Sequence, residues 1–462
     1  MNMSIEKVSV TSGNKNDMGG QYFTVLSVEL GNTTIKSIIT TSNVKNNKSF
    51  QLVKLVKLTR DIRKPLDGEI VFGNTIWGKD LSKEAIIDAI RDLIFESLSK
   101  INMSVDELDF VVRSTGVVAV LSSDDELNYI IQALSMACLD AGIKASQMRA
   151  PFSLDNIPEH IRKYSFFNNI EFDGSVVGIS SGQLNGAVAN EMESELVTAG
   201  MKLASKSSSI EYRNPVVSID MGTTLAGQIV DDSRPYAKVV CNYLGLAGGI
   251  MDMVLRGCGL IENNHSTIDV DFNKFDDKLN DDKLHEHTLK LHEFIDIMEV
   301  PYDVDEFGCV AVYQDKRINS KVKLIGCRIN DEEKLIEEFG KIIDVNPQIL
   351  SEQIDDFYAY LVKRVIDKSM EFNLISPNST LAITGRAGIT ANKMKYINEY
   401  LSEAFDDILL VEDALAQGAT MMARCMNSLG TPISPMGGSK GGICIMHERI
   451  KHNKKMIGTP KI

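Results

Sequence analysis

Asp220, Gly222, Thr223 and Thr224 are the residues whose types and spacing bear most directly on chemistry. They close the apolar, β-rich run Val216-Val217-Ser218-Ile219 and precede a second such run, Leu225-Ala226-Gly227-Gln228-Ile229-Val230. A strand that ends in a carboxylate, turns on a glycine and offers two hydroxyls can fold as a hairpin around an anion. The glycine lets the backbone approach closely, the amides and hydroxyls face a phosphate, and the carboxylate can hold a hydrated Mg²⁺. A similar string stands near the start of the chain: Val25-Leu26-Ser27-Val28-Glu29-Leu30-Gly31-Asn32-Thr33-Thr34-Ile35. One hairpin with a polar turn is a common feature. Two of them, each opening one half of the chain, form a pattern.

The elements that must position these turns also repeat. In the first half, β-rich runs at 22–30, 34–41 and 51–58 form a three-strand meander. Ser82 can cap a helix in which Ala85, Ile86, Ala89, Ile90, Leu93, Ile94 and Leu98 recur at helical spacing. A strand at 109–120, a helix at 124–141, a short strand at 175–180 and a helix at 183–206 complete the first half. The polar stretch 206–214 reads as an inter-domain crossing, after which strands are expected at 215–220, 224–230 and 236–241. Gly245-Leu246-Ala247-Gly248-Gly249 then opens a helix at 250–256, and residues 263–345 read as a charged, irregular insertion. A helix at 347–372, a strand at 381–384, the tight turn Gly385-Arg386-Ala387-Gly388, a helix at 391–405, a strand at 407–411 and a helix at 412–426 follow. The expected organisation is a flexible tail at 1–20, domains at 21–210 and 211–428, and a Gly- and Lys-rich segment at 429–462. Both domains are α/β, with mixed sheets covered by helices.

Composition narrows the function classes. A chain of 462 residues is too long for one core, and 44% apolar with 24% charged residues is ordinary globular usage. A net charge of −14 argues against a nucleic-acid surface and against docking on an anionic membrane. No apolar run is long enough to cross a bilayer, and the N-terminal stretch is unlike a signal peptide. The seven cysteines (138, 241, 258, 309, 327, 425 and 444) contain no Cys-x-x-Cys pair, which points to a reduced, cytoplasmic setting and excludes a zinc ribbon.

Two halves that each open with a meander and an acid-x-Gly-x-Thr turn resemble the actin, sugar-kinase and seventy-kilodalton heat-shock ATPase superfamily. That resemblance implies two ribonuclease-H-like domains with a nucleotide cleft between them. Glu29-Leu30-Gly31-Asn32-Thr33-Thr34 sits where the superfamily has its first phosphate loop, and Asp220-Met221-Gly222-Thr223-Thr224 matches the second. Ile383-Thr384-Gly385-Arg386-Ala387-Gly388-Ile389 is similar to the adenosine element, which makes Gly385, Arg386 and Gly388 the expected walls of that pocket, with Arg386 stacking on the base. Gly245 to Gly249, Gly248 and Gly249 among them, with Asp252 echo the glycine-rich stretch after the second loop, and Glu412-Asp413-Ala414-Leu415-Ala416-Gln417-Gly418-Ala419 resembles the second connecting helix. At the level of the whole chain the paired loops and the Thr384–Thr390 turn resemble the methanogenesis marker protein 14 family of methanogenic archaea. That implies a cytoplasmic protein connected to methane metabolism.

The resemblance implies a cofactor pair of ATP and Mg²⁺. Glu29 and Asp220 would hold the ion through water, while Gly31, Asn32, Thr33, Thr34, Gly222, Thr223 and Thr224 contact phosphates. Glu29 departs from the superfamily's aspartate, and its extra methylene displaces the carboxylate where Mg²⁺ demands near-ideal geometry, so slow hydrolysis is expected. Related activators carry an iron–sulfur cluster. Cys241 and Cys258 flank the glycine-rich stretch here, but the Cys-Ala-Ala-Gly-Thr-Gly string of those proteins is absent, and two small buried residues are the expected reading. His285, Glu286, His287 and His292 read as a solvated face rather than a metal site, and Gly437–Gly442 as a linker rather than a phosphate loop. The expected function is a nucleotide-binding ATPase whose domain closure acts on a protein partner. The alternatives are a non-catalytic adaptor of the same fold and a small-molecule kinase.

Overall fold

The computed structural model describes residues 4–8, 22–43, 49–75, 79–115, 124–148, 191–233, 238–275, 283–312, 314, 317, 318 and 322–429. The strand expected at 175–180, the glycine run at 437–442 and the basic C-terminal end lie outside the described residues. The described chain forms two compact units: residues 22–148 with 415–429, here the N-terminal unit, and residues 4–8 with 191–414, here the C-terminal unit.

The strands are β1 (Ser4–Val8), β2 (Tyr22–Leu30), β3 (Thr34–Asn43), β4 (Ser49–Leu58), β5 (Val71–Asn74), β6 (Asp80–Ser82), β7 (Phe110–Thr115), β8 (Val216–Met221), β9 (Leu225–Val230), β10 (Val239–Gly245), β11 (Ile295–Glu299), β12 (Glu306–Phe307), β13 (Val310–Ala311), β14 (Lys323–Ile329), β15 (Thr380–Thr384) and β16 (Asp407–Val411). The helices are α1 (Lys83–Lys100), α2 (Asp124–Asp140), α3 (Glu191–Ala204), α4 (Gly248–Gly257), α5 (Leu284–Leu291), α6 (Glu332–Val345), α7 (Leu350–Glu371), α8 (Arg386–Ile389), α9 (Lys393–Leu401) and α10 (Ala414–Leu429).

In the N-terminal unit the sheet order is β4-β3-β2-β7, with β2 antiparallel to β3 and parallel to β7. Leu26, Val28, Leu30, Ile35 and Ile39 pack from the sheet against Ile86, Ile90, Leu93 and Ile94 of α1. Ser82 caps α1 by accepting from the Ala85 N–H at 3.1 Å. β4 is one outer strand of this sheet among the described residues, and Lys54 and Lys57 along it discourage edge-to-edge pairing.

In the C-terminal unit eight strands run β1-β16-β15-β8-β9-β10-β14-β11. Its centre is an antiparallel meander, β8-β9-β10, continued on the other side of β8 by the parallel strands β15 and β16. This is the strand order of a ribonuclease-H-like domain. β8 and β9 are buried at every position, as strands covered on both faces must be. One face meets α4, α7 and α9 through Ile219, Met221, Ile250, Val254, Phe357, Leu361 and Ile397. The other carries Ser218 and receives α3: Thr198 and Ser218 share a hydrogen bond at 2.6 Å, and the Gly227 N–H donates to Ser194 at 2.9 Å.

Three expectations are corrected here. Ser4–Val8, expected inside a flexible tail, is a strand paired in parallel with Asp407–Val411; Val8 is buried there, while the exposed Lys7 suits the edge of the sheet. The described part of residues 263–345 is not irregular throughout: β14 joins β10 in parallel, β11 joins β14, and α6 packs Leu335 and Phe339 into the same core. Helix α3 groups with the C-terminal unit rather than ending the first domain at 210, since its hydroxyls bond the β8–β9 hairpin.

Candidate functional site

The second loop is built where β8 ends. Asp220 is 8% exposed, and its register partner on β15 is Thr384, the residue before Gly385. Gly385 has φ +84°, and a Cβ there would lie 2.4 Å from both Asp220 Oδ1 and the Met221 carbonyl carbon. Only a residue with no side chain can turn that tightly against the strand end. Gly388, one turn on, similarly faces the Met221 side chain, and a Cβ there would lie 3.2 Å from it. The turn expected to bound an adenosine pocket and the carboxylate expected to face Mg²⁺ are therefore one construction.

Gly248 and Gly249 are drawn into the same place, with their N–H groups directed at the loop. Gly248 donates to the Gly222 carbonyl at 2.8 Å and Gly249 to the Thr223 carbonyl at 2.9 Å, with Ala247 donating to Thr223 at 3.1 Å. The start of α4 thus clamps Gly222 and Thr223 from behind. Arg386 is held by the buried Asp252: Nη2 donates to Oδ2 at 2.6 Å and Nη1 donates to Thr267 Oγ1 at 3.0 Å, while the other Asp252 oxygen accepts from Thr267 N and Oγ1 at 2.7 and 2.6 Å. Asp252 was legible only as part of the glycine-rich stretch; its pairing with Arg386, and Thr267 with it, escaped the sequence reading because the partners lie far along the chain.

The first loop belongs to the N-terminal unit. The Gly31 N–H donates to the Thr34 carbonyl at 2.9 Å to close the turn, and Thr59 secures it from β4's end, donating Oγ1 to Gly31 O at 3.0 Å and N–H to Thr33 O at 2.9 Å. Asn32 and Thr33 are buried. Glu29 pairs in register with Lys36 across the hairpin, and the ammonium lies 3.3 Å from both carboxylate oxygens. The sequence carried a signal for Lys36: a tight turn at 31–34 forces positions 29 and 36 opposite one another.

The other candidates resolve into packing. Cys241 is fully buried, and burial raises the pKa of its thiol. Cys258 is raised by burial and by Asp344, and it donates to the Ile336 carbonyl at 3.3 Å. The histidine face expected to be solvated holds for His285 and Glu286, which are exposed, with His285 Nδ1 2.8 Å from the Tyr400 hydroxyl, and is corrected at His292, which is buried. Arg364 donates to His292 Nδ1 and His292 Nε2 faces the Phe357 carbonyl at 3.0 Å, which fixes the neutral Nε2–H tautomer. Burial pushes this imidazole down from 6.5 to about 3. Because the unfolded chain binds that proton first, stability falls as pH drops from 6.5 toward 3. Between pH 7 and 5 His292 is expected to cost about 2 kcal/mol, at about 1.4 kcal/mol per unit below 6.5. Urea titrations of wild type and His292→Gln at both pH values check this. The wild type should lose more stability than the variant.

Two units that each place a glycine turn after the first strand of a mixed ribonuclease-H-like sheet define an actin-like ATPase fold. The chain belongs to the archaeal family described as "Uncharacterized protein conserved in archaea (DUF2114)", whose model matches residues 22–453. It is 44% identical over 445 residues to "Uncharacterized protein MJ1451" of Methanocaldococcus jannaschii, covering 94% of this chain and 92% of that one. It is 42% identical over 441 residues to an "Uncharacterized protein" of Methanothermobacter thermautotrophicus, covering 93% and 83%. Among solved structures it is similar to the ethanolamine utilization protein EutJ of Carboxydothermus hydrogenoformans (TM-score 0.38, 11% identity, 88% and 90% covered). It is also similar to the activator of 2-hydroxyisocaproyl-CoA dehydratase from Clostridium difficile (TM-score 0.36, 9% identity, 95% and 99% covered). No helix among the described residues is long and apolar enough to cross a membrane.

Proposed function

We propose that this protein binds ATP with Mg²⁺, hydrolyses it slowly, and passes a nucleotide-driven closure to a protein partner. The observation that carries the reading is the meeting of Asp220, the Gly222-Thr223 loop and Gly385 at one strand end, a cradle that any Cβ at 385 would fill. In this role Thr223 and Thr224, with Thr33, Thr34, Asn32 and the Gly31 turn, contact phosphates, and Gly385, Arg386 and Gly388 border the adenosine. The in-plane bonds of Arg386 to Asp252 and Thr267 fix the guanidinium and leave its face to stack on the base.

The donor set suits a hydrated ion. No group of three or more ligating side chains occurs among the described residues, so Asp220 would hold Mg²⁺ through its water shell. When bound, the ion supplies charge neutralisation of the terminal phosphates. Glu29 would take a smaller share than Asp220, because Lys36 already neutralises it. The same pairing is the specific observation that favours a second reading, a non-hydrolysing adaptor of the same fold. We further propose that the family is the one its loops resemble, methanogenesis marker protein 14, and that the partner is a cytoplasmic enzyme of methane metabolism undergoing maturation or activation. Calorimetric titration with Mg·ATP tests the nucleotide reading. No heat and no thermal shift at millimolar nucleotide would overturn it, and binding without turnover would leave the adaptor.

A further inference from the structure

We infer that Tyr358 is a positioning residue that sets the second loop from behind, through the first turn of α4; the link to a ligand rests on the nucleotide reading above. Helix α4 starts at Gly248 after Ala247, an N-cap residue with no side chain able to accept a hydrogen bond. Tyr358, buried on α7, bonds this uncapped first turn from a different helix. Its hydroxyl donates to the Gly248 carbonyl at 3.0 Å and accepts from the Met251 N–H at 3.3 Å. The same turn bonds forward to the loop, Gly248 to Gly222 and Gly249 to Thr223.

The phenol is thus one peptide away from the loop. There is little slack in between, because a Cβ at Gly248 would come within 2.5 Å of the Gly222 carbonyl oxygen. The ring is itself anchored. Lys393, whose ammonium lies 5.7 Å from the ring centroid, is paired at 2.5 Å with Asp355, one turn before Tyr358 on α7. The usual role of a helix N-terminus, presenting N–H groups to an anion, is replaced here by a clamp. The first two amides of α4 grip loop carbonyls.

Tyr358→Phe keeps the ring and removes the clamp. Hydrogen–deuterium exchange of the full chain without nucleotide reads the effect at its source. The amides of Ala247, Gly248 and Gly249 should exchange at least tenfold faster in Tyr358→Phe, with β15 and β16 unchanged. Tyr243→Phe is the control. It deletes another buried phenol of the same unit, one bonded to Ser369 at 2.9 Å, and should leave the exchange of those three amides as in the wild type. Unchanged exchange at 247–249 in Tyr358→Phe, or equal acceleration throughout the unit, would overturn the inference. So would equal acceleration of 247–249 in Tyr243→Phe. A second arm titrates Mg·ATP. Where the wild type binds, Tyr358→Phe should bind at least tenfold more weakly, and equal affinity would overturn the coupling to the loop. A wild type that binds no nucleotide removes the proposed function, while the exchange arm still decides whether Tyr358 holds the loop.

Discussion

Gly385→Ala is expected to destabilise the C-terminal unit by about 2–4 kcal/mol and to remove any binding at the second loop. Two costs add. An L-residue at φ +84° loses about 1 kcal/mol relative to glycine. The new methyl also meets Asp220 Oδ1 and the Met221 carbonyl carbon at 2.4 Å, an overpacking that costs about 1–3 kcal/mol. Neither neighbour can withdraw easily, since β8 is paired on both sides by β9 and β15. Gly68→Ala separates the two costs. Gly68 has φ +91°, and a Cβ added there would meet nothing within 4 Å, so it should show only the backbone cost. Urea denaturation of both variants checks this. If Gly385→Ala loses no more than Gly68→Ala, the close approach of the turn to Asp220 is wrong.

The second large effect is at Asp252. Asp252→Ala strips a 1%-exposed carboxylate from Arg386 and from both Thr267 donors. Breaking a buried pair by deleting one member leaves an uncompensated charge, so a loss of about 3 kcal/mol or more is expected. Arg386→Met should cost a comparable amount, because it leaves a 1%-exposed carboxylate without its cation, held only by its two Thr267 donors. In the double variant the orphaned cation is gone, and the two losses should fall short of additivity by more than about 1 kcal/mol. Strict additivity would mean that Arg386 and Asp252 do not hold each other. The same variants should weaken nucleotide binding, because Arg386 opens the turn proposed to border the adenosine.

The parts of the fold that were legible in the sequence are those encoded locally. The glycine turns after β2 and β8 both read directly, because a carboxylate, a glycine and two threonines between apolar runs are contiguous. The meanders and the strand, glycine turn and helix at 380–401 read for the same reason. What escaped depends on pairing across long separations. β14 reads as Lys-Leu-Ile-Gly-Cys-Arg-Ile, a short run broken by a glycine and closed by charge, and only its parallel contact with β10 makes it a strand. β1 is a half-polar edge that looks like a tail until β16 is beside it. The Glu29–Lys36 pair was within reach of hairpin register alone. Tyr358 and Thr267 had no local signal, and Asp252 none for its pairing with Arg386, because each acts on a partner from another element. The histidine face misled because periodicity on α5 does not reveal that α7 covers His292.

The reading of Asp220 as the acid of a nucleotide loop is tested most directly by isothermal titration of Mg·ATP into wild type and Asp220→Ala. The account predicts one nucleotide per wild-type chain, with affinity that falls when Mg²⁺ is chelated, and a loss of at least tenfold in Asp220→Ala. Equal binding by the two proteins, or no binding by the wild type at millimolar nucleotide, would contradict it.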